Sequence, residues 1–286
     1  MNRPGWTLVV LAAGLGRRFG GAKQLVSVGP AGELLSDYTL YDALAAGASR
    51  AVYVVTPGLE PELRRHHERW RDRIEIRYAR QQSNNLPPGR AKPWGTTEAV
   101  LVTRDQVNGS CVVVNADDFY GPEAIAAAAT TLSARPPARQ PAAAAIAFRL
   151  GETLSPSGPV SRAVLEVDAG GWLRTITERS DLTDASGLAP DQAVSMNCWA
   201  FGPRIFPLLQ QDFSRFLATH GRSPIAECAL PETIGRLISA GALRVQVVSA
   251  GRGWLGMTHR DDLSVVRAAL AGLVDKGVYS SPLPGP

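Results

Sequence analysis

The sequence lacks long apolar runs and paired cysteines, and these absences narrow its class. No apolar stretch approaches the roughly 20 residues that a transmembrane helix needs. The first apolar run, residues 6–13, is too short for the core of a signal peptide. The cysteines are odd in number and widely separated, which is typical of buried, reduced thiols rather than disulfides or a metal knuckle: Cys111, Cys198 and Cys228. We therefore expect a cytoplasmic protein that does not bind a membrane.

Lysine is also scarce, and the charge balance is mild. The 30 basic residues exceed the 26 acidic ones by only four, and just three of them are lysines. No basic run or aromatic-interleaved basic patch is present, which argues against a nucleic-acid partner. Two of the lysines, Lys23 and Lys92, lie in the most motif-like stretches, which favours a specific need for an ammonium group there. This composition suits a protein that handles anionic small molecules.

The order of predicted elements indicates one α/β domain. Strands alternate with helices in the first half, which predicts a mostly parallel sheet flanked by helices, as in Rossmann-like folds. A hairpin and further strands give the second half a mixed β character. We predict a single domain over 1–286, with a nucleotide-binding half (1–122), a substrate-binding half (123–259), a closing helix (260–276) and a tail (277–286). We expect the last stretch of this tail, "SSPLPGP", to be frayed.

A glycine-rich loop follows the first strand in "VVLAAGLGRRFGGAKQL", residues 9–25. It is not a P-loop, because Gln24 stands where serine or threonine should follow Lys23. It departs from the dinucleotide-binding pattern, because Phe19 replaces the third glycine. The glycines would let backbone N–H groups approach a polyphosphate, with Arg18 and Lys23 neutralising its charge. The alternative is an ordinary solvated loop.

The loop resembles the signature of the sugar-1-phosphate nucleotidyltransferases, or NDP-sugar pyrophosphorylases, of the NTP-transferase superfamily. Their pattern is Leu-Ala-Ala-Gly-x-Gly-x-Arg followed by a lysine. The resemblance implies that Arg18 and Lys23 act on the phosphates at the reaction centre. It implies that the loop holds the nucleotide through Leu11, Ala13, Gly14 and Gly16. Cytidylyltransferases of isoprenoid and molybdopterin synthesis share much of this loop, so it indicates the superfamily rather than the substrate.

Two further stretches are similar to the nucleobase-binding parts of this family. "KPWGTTEAV", residues 92–100, places Gly95 and Thr96 at the matching positions, and Gln81 (or, as second choice, Gln82) resembles a base-reading glutamine. A glutamine amide with backbone groups can read a pyrimidine edge through paired donor and acceptor bonds. Thr96 could instead be a simple helix N-cap, and both roles could hold together.

A pair of carboxylates follows the buried strand in "VVVNADDFYG", residues 112–121. Open α/β sheets place their ligands at this end of the strands. Two adjacent carboxylates there are costly unless they face a cation, and Mg²⁺ held with phosphate oxygens is the usual solution. Asp117 matches the metal-binding aspartate of the family, whereas Asp118 could assist or cap the next helix.

The second half carries two matches to sugar-phosphate-binding residues of the family. "LRTITER" is similar to a segment whose glutamate binds sugar hydroxyls, which implies that Glu178 lies in the pocket. Arg179 stands where a lysine is common. "SMNCWAF" is similar to a strand with a sugar-binding asparagine, which implies the same role for Asn197. Each residue alone could be ordinary strand polarity.

One position departs from the family pattern. Gly256 in "GWLGMTHRDDL" occupies the place of a second metal-binding aspartate. The metal must then be held by Asp117 with phosphates, or be helped by Asp261 or Asp262. We favour the alternative that those two aspartates are helix N-terminal charges stabilised by the macrodipole.

The resemblance implies an enzyme that joins an NTP and a sugar 1-phosphate to give an NDP-sugar and pyrophosphate, with Mg²⁺. The substrate phosphate would attack the α-phosphorus in line, without a covalent enzyme intermediate. One alternative is a cytidylyltransferase that acts on a non-sugar phosphate or phosphonate. Another is a non-catalytic nucleotide sensor with this fold. The base, the sugar and the oligomeric state, a homo-oligomer included, stay open at this point.

Overall fold

The computed structural model describes residues 5–14, 21–81, 86–133, 142–251 and 253–283. Within these ranges there are eleven strands: β1 Trp6–Leu11, β2 Ala48–Val55, β3 Glu75–Arg80, β4 Cys111–Asn115, β5 Asp118–Phe119, β6 Ala142–Arg149, β7 Val160–Val167, β8 Leu173–Leu182, β9 Ala193–Phe201, β10 Arg244–Ser249 and β11 Leu255–Gly256. There are eight α-helices: α1 Leu35–Ala45, α2 Glu60–His67, α3 Thr96–Leu101, α4 Pro122–Ser133, α5 Leu150–Thr153, α6 Ile205–His220, α7 Leu230–Ser239 and α8 Asp262–Asp275.

Nine of the strands form one sheet, whose main order is β10-β6-β9-β4-β1-β2-β3. Strands β4, β1, β2 and β3 are mutually parallel, so their carboxyl ends meet at one edge. Strand β9 runs antiparallel to both β4 and β6, and the β7–β8 hairpin joins it from one side. The predicted α/β class is therefore confirmed, with a parallel first half and a mixed second half.

Helices cover both faces of the sheet, because alternate residues of the buried strands point to opposite sides. Leu8 and Val10 of β1 join a core that includes apolar residues of α1, α4 and α8. Val9 and Leu11 join a second core with residues of α3, α6 and α7. The three cysteines are unpaired and buried, as predicted. Of the helices that the structure describes, none combines the length and apolar character that a bilayer crossing requires.

The tail was expected to be frayed, and this expectation is wrong for its described part. Leu283 is only 2% exposed, and its backbone N–H donates to the Glu33 carboxylate at 3.1 Å. Just before it, the Tyr279 hydroxyl donates to Asp42 at 2.9 Å. A polar, proline-rich composition did not reveal these partners, because both lie more than 200 residues away in the sequence.

Candidate functional site

A cavity of about 810 Å³ opens at the carboxyl ends of the parallel strands. It is lined by ten of the twelve residues that the sequence singled out: Leu11, Ala13, Gly14, Lys23, Gln81, Gly95, Thr96, Asp117, Glu178 and Asn197. The other two, Gly16 and Arg18, lie outside the described residues, as does Gln82. Residues that are far apart in the sequence thus meet around one space large enough for two small substrates.

A side-chain hydrogen bond links Gly14, in the glycine-rich stretch, to Gln24, which follows Lys23. Lys23–Leu25 forms a short 3-10 turn, and the Gln24 amide donates to the Gly14 carbonyl at 2.7 Å. Gln24 is almost fully buried, so its side chain is part of the framework of the loop. The neighbouring Lys23 lines the cavity, and its ammonium group forms an ion pair with Asp117.

Asp117 and Asp118 follow β4 but have different surroundings. Asp117 faces the cavity and is 20% exposed, like its partner Lys23. Asp118 is buried, and its carboxylate accepts a hydrogen bond from the Asn115 amide at 2.9 Å. Burial and the neighbouring Asp117 charge raise the pKa of Asp118 above its ordinary value. Asp118 does not cap α4, so the capping alternative for this residue is wrong.

The base-binding candidates form a frame at the start of α3. The Gln81 amide donates to the Gly95 carbonyl and to the Glu98 carboxylate, both at 3.0 Å. Gly95 has φ +111°, and a Cβ there would lie 2.8 Å from the Cys228 carbonyl oxygen. Only glycine therefore fits at this position. Pro93, Gly95 and Thr96 of this frame line the cavity.

Thr96 has a role that differs from the predicted N-cap. Gly95, not Thr96, is the N-cap residue of α3, and the Thr96 hydroxyl accepts a hydrogen bond from the Leu230 backbone at 2.8 Å. This bond joins the N-termini of α3 and α7. Helix α7 packs against β8, the strand that carries Glu178. Thr96 therefore links the nucleobase side of the cavity, at α3, to the side where Glu178 lies.

The acceptor-side candidates lie on β8 and β9, the two strands that flank β7. Ala163 of β7 is paired with Glu178 on one side and with Ser195 of β9 on the other. Strand β9 bulges between Ser195 and Trp199, and within this bulge Asn197 has φ +57°, which asparagine tolerates. The bulge brings Asn197 to the wall of the cavity.

Glu178 lies at the solvent-accessible mouth of the cavity. Among the described residues, no group donates a hydrogen bond to its carboxylate. Partial desolvation by the cavity walls and the nearby Glu232 charge raise the pKa of Glu178. An uncompensated carboxylate in a cavity is suited to bind hydroxyl groups of a ligand.

Gly256, at the place of the second metal-binding aspartate, has no space around it for a side chain. It is paired with Asp118 across β11 and β5. A Cβ at position 256 would lie 2.3 Å from the Trp254 ring and 3.0 Å from a carboxylate oxygen of Asp118. The indole and Asp118 therefore occupy the space that a side chain at 256 would need, and an aspartate cannot be accommodated without rearrangement.

Asp261 and Asp262 do not line this cavity. The Asp262 carboxylate accepts hydrogen bonds from the His259 backbone and the Ser155 hydroxyl, both at 2.7 Å. These bonds outweigh the effect of burial and keep its pKa below the ordinary value. Asp262 thus stabilises the start of α8, in agreement with the preferred sequence interpretation.

Several cavity residues escaped the sequence analysis. Lys92 attracted attention as a rare lysine, but its ion pair with Glu227 at the cavity mouth was not foreseen. Arg162 was not considered, although it shares a face of the alternating strand β7 with buried Val160. An inward-facing arginine in such a strand is unusual, and this signal could have identified it.

The chain matches a known domain family over residues 8–156, about half of its length: the MobA-like NTP transferase domain. The chain belongs to this family. It is therefore a nucleotidyltransferase, as the glycine loop and the carboxylates after β4 indicated. The matched segment contains the loop, the base-side frame and both aspartates, but it ends before β7.

A solved structure shares the fold of this NTP transferase over nearly its whole length. It is described as the inositol-1-phosphate CTP transferase from T. maritima. The match has a TM-score of 0.67 and covers 95% of this chain and 97% of the other, at 14% sequence identity. At this identity the similarity establishes the nucleotidyltransferase fold alone. No curated protein matches the chain.

Proposed function

We propose that this enzyme transfers a nucleotidyl group from an NTP to a sugar 1-phosphate and releases pyrophosphate. The proposal rests on the set of residues that line one cavity. The Lys23–Asp117 pair lies in a cavity that has the Gln81–Gly95 frame on one wall and Glu178 and Asn197 on another. A nucleotide on the frame and a polyol near Glu178 could both reach this pair.

In this proposal the acceptor phosphate attacks the α-phosphorus in line, and pyrophosphate leaves. The Lys23 ammonium group would stabilise the charge that develops on the phosphates, together with Arg18. The cavity walls position the two substrates, so no covalent intermediate on the enzyme is required. Asn197 and Glu178 would orient the acceptor through its hydroxyl groups.

The donor set near Asp117 fits a magnesium ion that shares its ligands with the substrate. The described residues contain no group of three or more His, Cys, Asp or Glu side chains that could hold a metal. Mg²⁺ normally needs only one or two carboxylates, because phosphate oxygens and water complete its octahedron. Asp117, with Asp118 beside it, would hold the ion, which when bound would neutralise phosphate charge.

A cytidylyltransferase that acts on a cyclitol or other non-sugar phosphate is the second candidate. It is favoured by the fold match to an enzyme described as a CTP transferase for inositol 1-phosphate. The two candidates differ only in the base and in the acceptor ring. In both candidates the Lys23–Asp117 pair would act at the reacting phosphates.

A substrate grid tests both candidates at once. Four NTPs are combined with several sugar 1-phosphates, inositol 1-phosphate and phosphocholine, and pyrophosphate release is measured with Mg²⁺. We expect turnover of one NTP with a sugar 1-phosphate, whereas turnover with inositol 1-phosphate or phosphocholine alone would favour the second candidate. Absence of turnover for every pair would contradict both and support a nucleotide sensor.

A further inference from the structure

Arg162 of β7 lies in the wall between two cavities. It is only 6% exposed, yet it lines the main cavity and also a second cavity of about 180 Å³. The second cavity lies on the α5 and α8 side and reaches Asp262. Arginine is rarely buried unless its charge is matched, so its position requires an explanation.

No ion pair with a described residue compensates the charge of Arg162 directly. Its guanidinium donates to the Ser161 carbonyl at 2.8 Å and to the Thr153 carbonyl, but its Nε has no partner. Among the described residues, no carboxylate forms an ion pair with it. A buried cation whose hydrogen bonds go only to neutral carbonyls is incompletely compensated, which favours an anionic ligand.

Trp254 provides a second unpartnered donor beside Arg162. The guanidinium carbon lies 5.2 Å from the centroid of the indole ring, and the indole N–H is buried without a partner. Trp254 lines both cavities too. Its ring is held in place over Gly256, where no side chain interferes. Two buried N–H donors that lack acceptors therefore belong to neighbouring residues that line both cavities.

The location of this wall suggests which anion it meets. Three carboxylates act on the guanidinium through space: Asp118, Glu178 and Asp262. Asp118 and Glu178 line the main cavity together with Arg162 and Asp117. Because Glu178, Arg162 and Asp117 line one cavity, an acceptor whose hydroxyl groups contact Glu178 could place its phosphate within reach of Arg162 and near Asp117. The phosphate is the only part of such a substrate that is always anionic.

We propose that Arg162, supported by Trp254, binds the phosphate group of the acceptor substrate. This inference rests on the proposed function for the identity of that substrate. It makes Arg162 a residue that selects phosphorylated acceptors and holds them next to the nucleotide. Arginine suits this task because its planar fork matches the oxygens of a phosphate.

Steady-state kinetics of R162Q and R162K test the proposal with the best substrate pair from the grid. We expect R162Q to raise the KM of the acceptor about 30-fold, as loss of a charge-assisted contact does. The KM of the NTP should change less than about twofold, R162K should be intermediate, and added guanidinium salt should restore part of the R162Q loss. A purely structural role would affect both substrates and would not respond to guanidinium.

Arg174 provides the matched control. It lies on the same hairpin, is 71% exposed and contacts Asp168 outside the cavity, so R174Q should keep the kinetics of the wild type. An R162Q variant with an unchanged acceptor KM, or with equal changes in both KM values, would overturn the proposal.

A binding measurement decides the question without turnover. Inorganic phosphate is titrated into the wild-type protein without nucleotide or metal, and tryptophan fluorescence is recorded. We expect a saturable change that is lost in W254F, which identifies the reporting ring, and a phosphate affinity that is much weaker in R162Q and intermediate in R162K. Equal phosphate affinity of wild type and R162Q, or no saturable binding to the wild type, would overturn the proposal. Failure of the whole substrate grid would instead refute the proposed function and leave this titration valid.

Discussion

The two ends of the cavity differ in how far the chain satisfies their polar groups. At the base end, the Gln81 amide is bonded to Gly95 and Glu98, and the Thr96 hydroxyl to Leu230. At the acceptor end, Glu178 has no hydrogen-bond donor among the described residues, and Nε of Arg162 has no acceptor. The base end is therefore a frame held by its own hydrogen bonds, whereas Glu178 and Nε of Arg162 at the acceptor end keep bonding capacity that the chain does not use.

This contrast has a consequence for specificity. A frame held by its own hydrogen bonds presents the same groups whether or not a ligand is bound, so its preference depends on the backbone. Side chains without internal partners gain their bonds only from the substrate, and a substrate that cannot supply them is rejected. We expect mutations at the frame to affect stability and nucleotide binding together, and mutations at the acceptor end to affect acceptor binding alone.

The largest effect on activity is expected from replacing Asp117, which lies between the two ends of the cavity. Replacement by asparagine removes the charge that faces Lys23 and would hold the metal. We expect kcat/KM to fall about 1,000-fold for both substrates, because charge stabilisation at the reacting phosphate is lost. D261N is the control, since Asp261 does not line the cavity. A D117N enzyme that retained more than about a tenth of the wild-type rate would remove Asp117 from the reaction centre.

The frame is tested at Gly95. An alanine there would combine an unfavourable φ of +111° with a 2.8 Å contact to the Cys228 carbonyl oxygen. We expect the free energy of unfolding to fall by about 2–3 kcal/mol and the KM of the NTP to rise about 10-fold. Denaturant titration and steady-state kinetics measure the two effects.

Gly89 separates backbone strain from the steric contact at Gly95. It also has a positive φ, +80°, but a Cβ there would meet nothing within 4 Å. G89A should therefore cost only about 1 kcal/mol and leave the KM of the NTP unchanged. Equal effects of G89A and G95A would show that the contact with Cys228 is unimportant and that the frame is not rigid.

The acceptor end is tested at Glu178. A glutamine there keeps the shape of the side chain but weakens hydrogen bonds to hydroxyl groups. We expect the KM of the acceptor to rise about 10-fold, with the KM of the NTP within about twofold of the wild type. Glu166 of the same hairpin is the control, because it is exposed and already accepts a bond from Thr175. If E178Q raised the KM of the NTP instead, the assignment of the two ends would be reversed.

Residues in short motifs were easier to place in the cavity from the sequence than isolated residues, for a physical reason. Gly14, Gly95 and Asp117 belong to short motifs, and the carboxyl ends of parallel strands bring such motifs together in any sheet of this type. Arg162 belongs to no such motif, and its surroundings depend on the Trp254 ring, which is distant in the sequence. The anchored tail was missed for the same reason, since Glu33 supplies its acceptor.

The smallest effect on activity is expected at Asp42, far from both ends of the cavity. Burial raises the pKa of Asp42 to about 7, from an ordinary value of 3.8, although the Tyr279 hydroxyl donates to it. Between about pH 4 and pH 7 the unfolded chain releases a proton that the native state retains, so this group destabilises the protein as the pH rises. Asparagine keeps an acceptor for Tyr279 but cannot ionise. D42N should therefore match the wild type in stability near pH 4 and exceed it by about 2 kcal/mol above pH 7, in denaturant titrations at a series of pH values. Both KM values should stay unchanged, and a pH-independent difference in stability would refute the role of this proton.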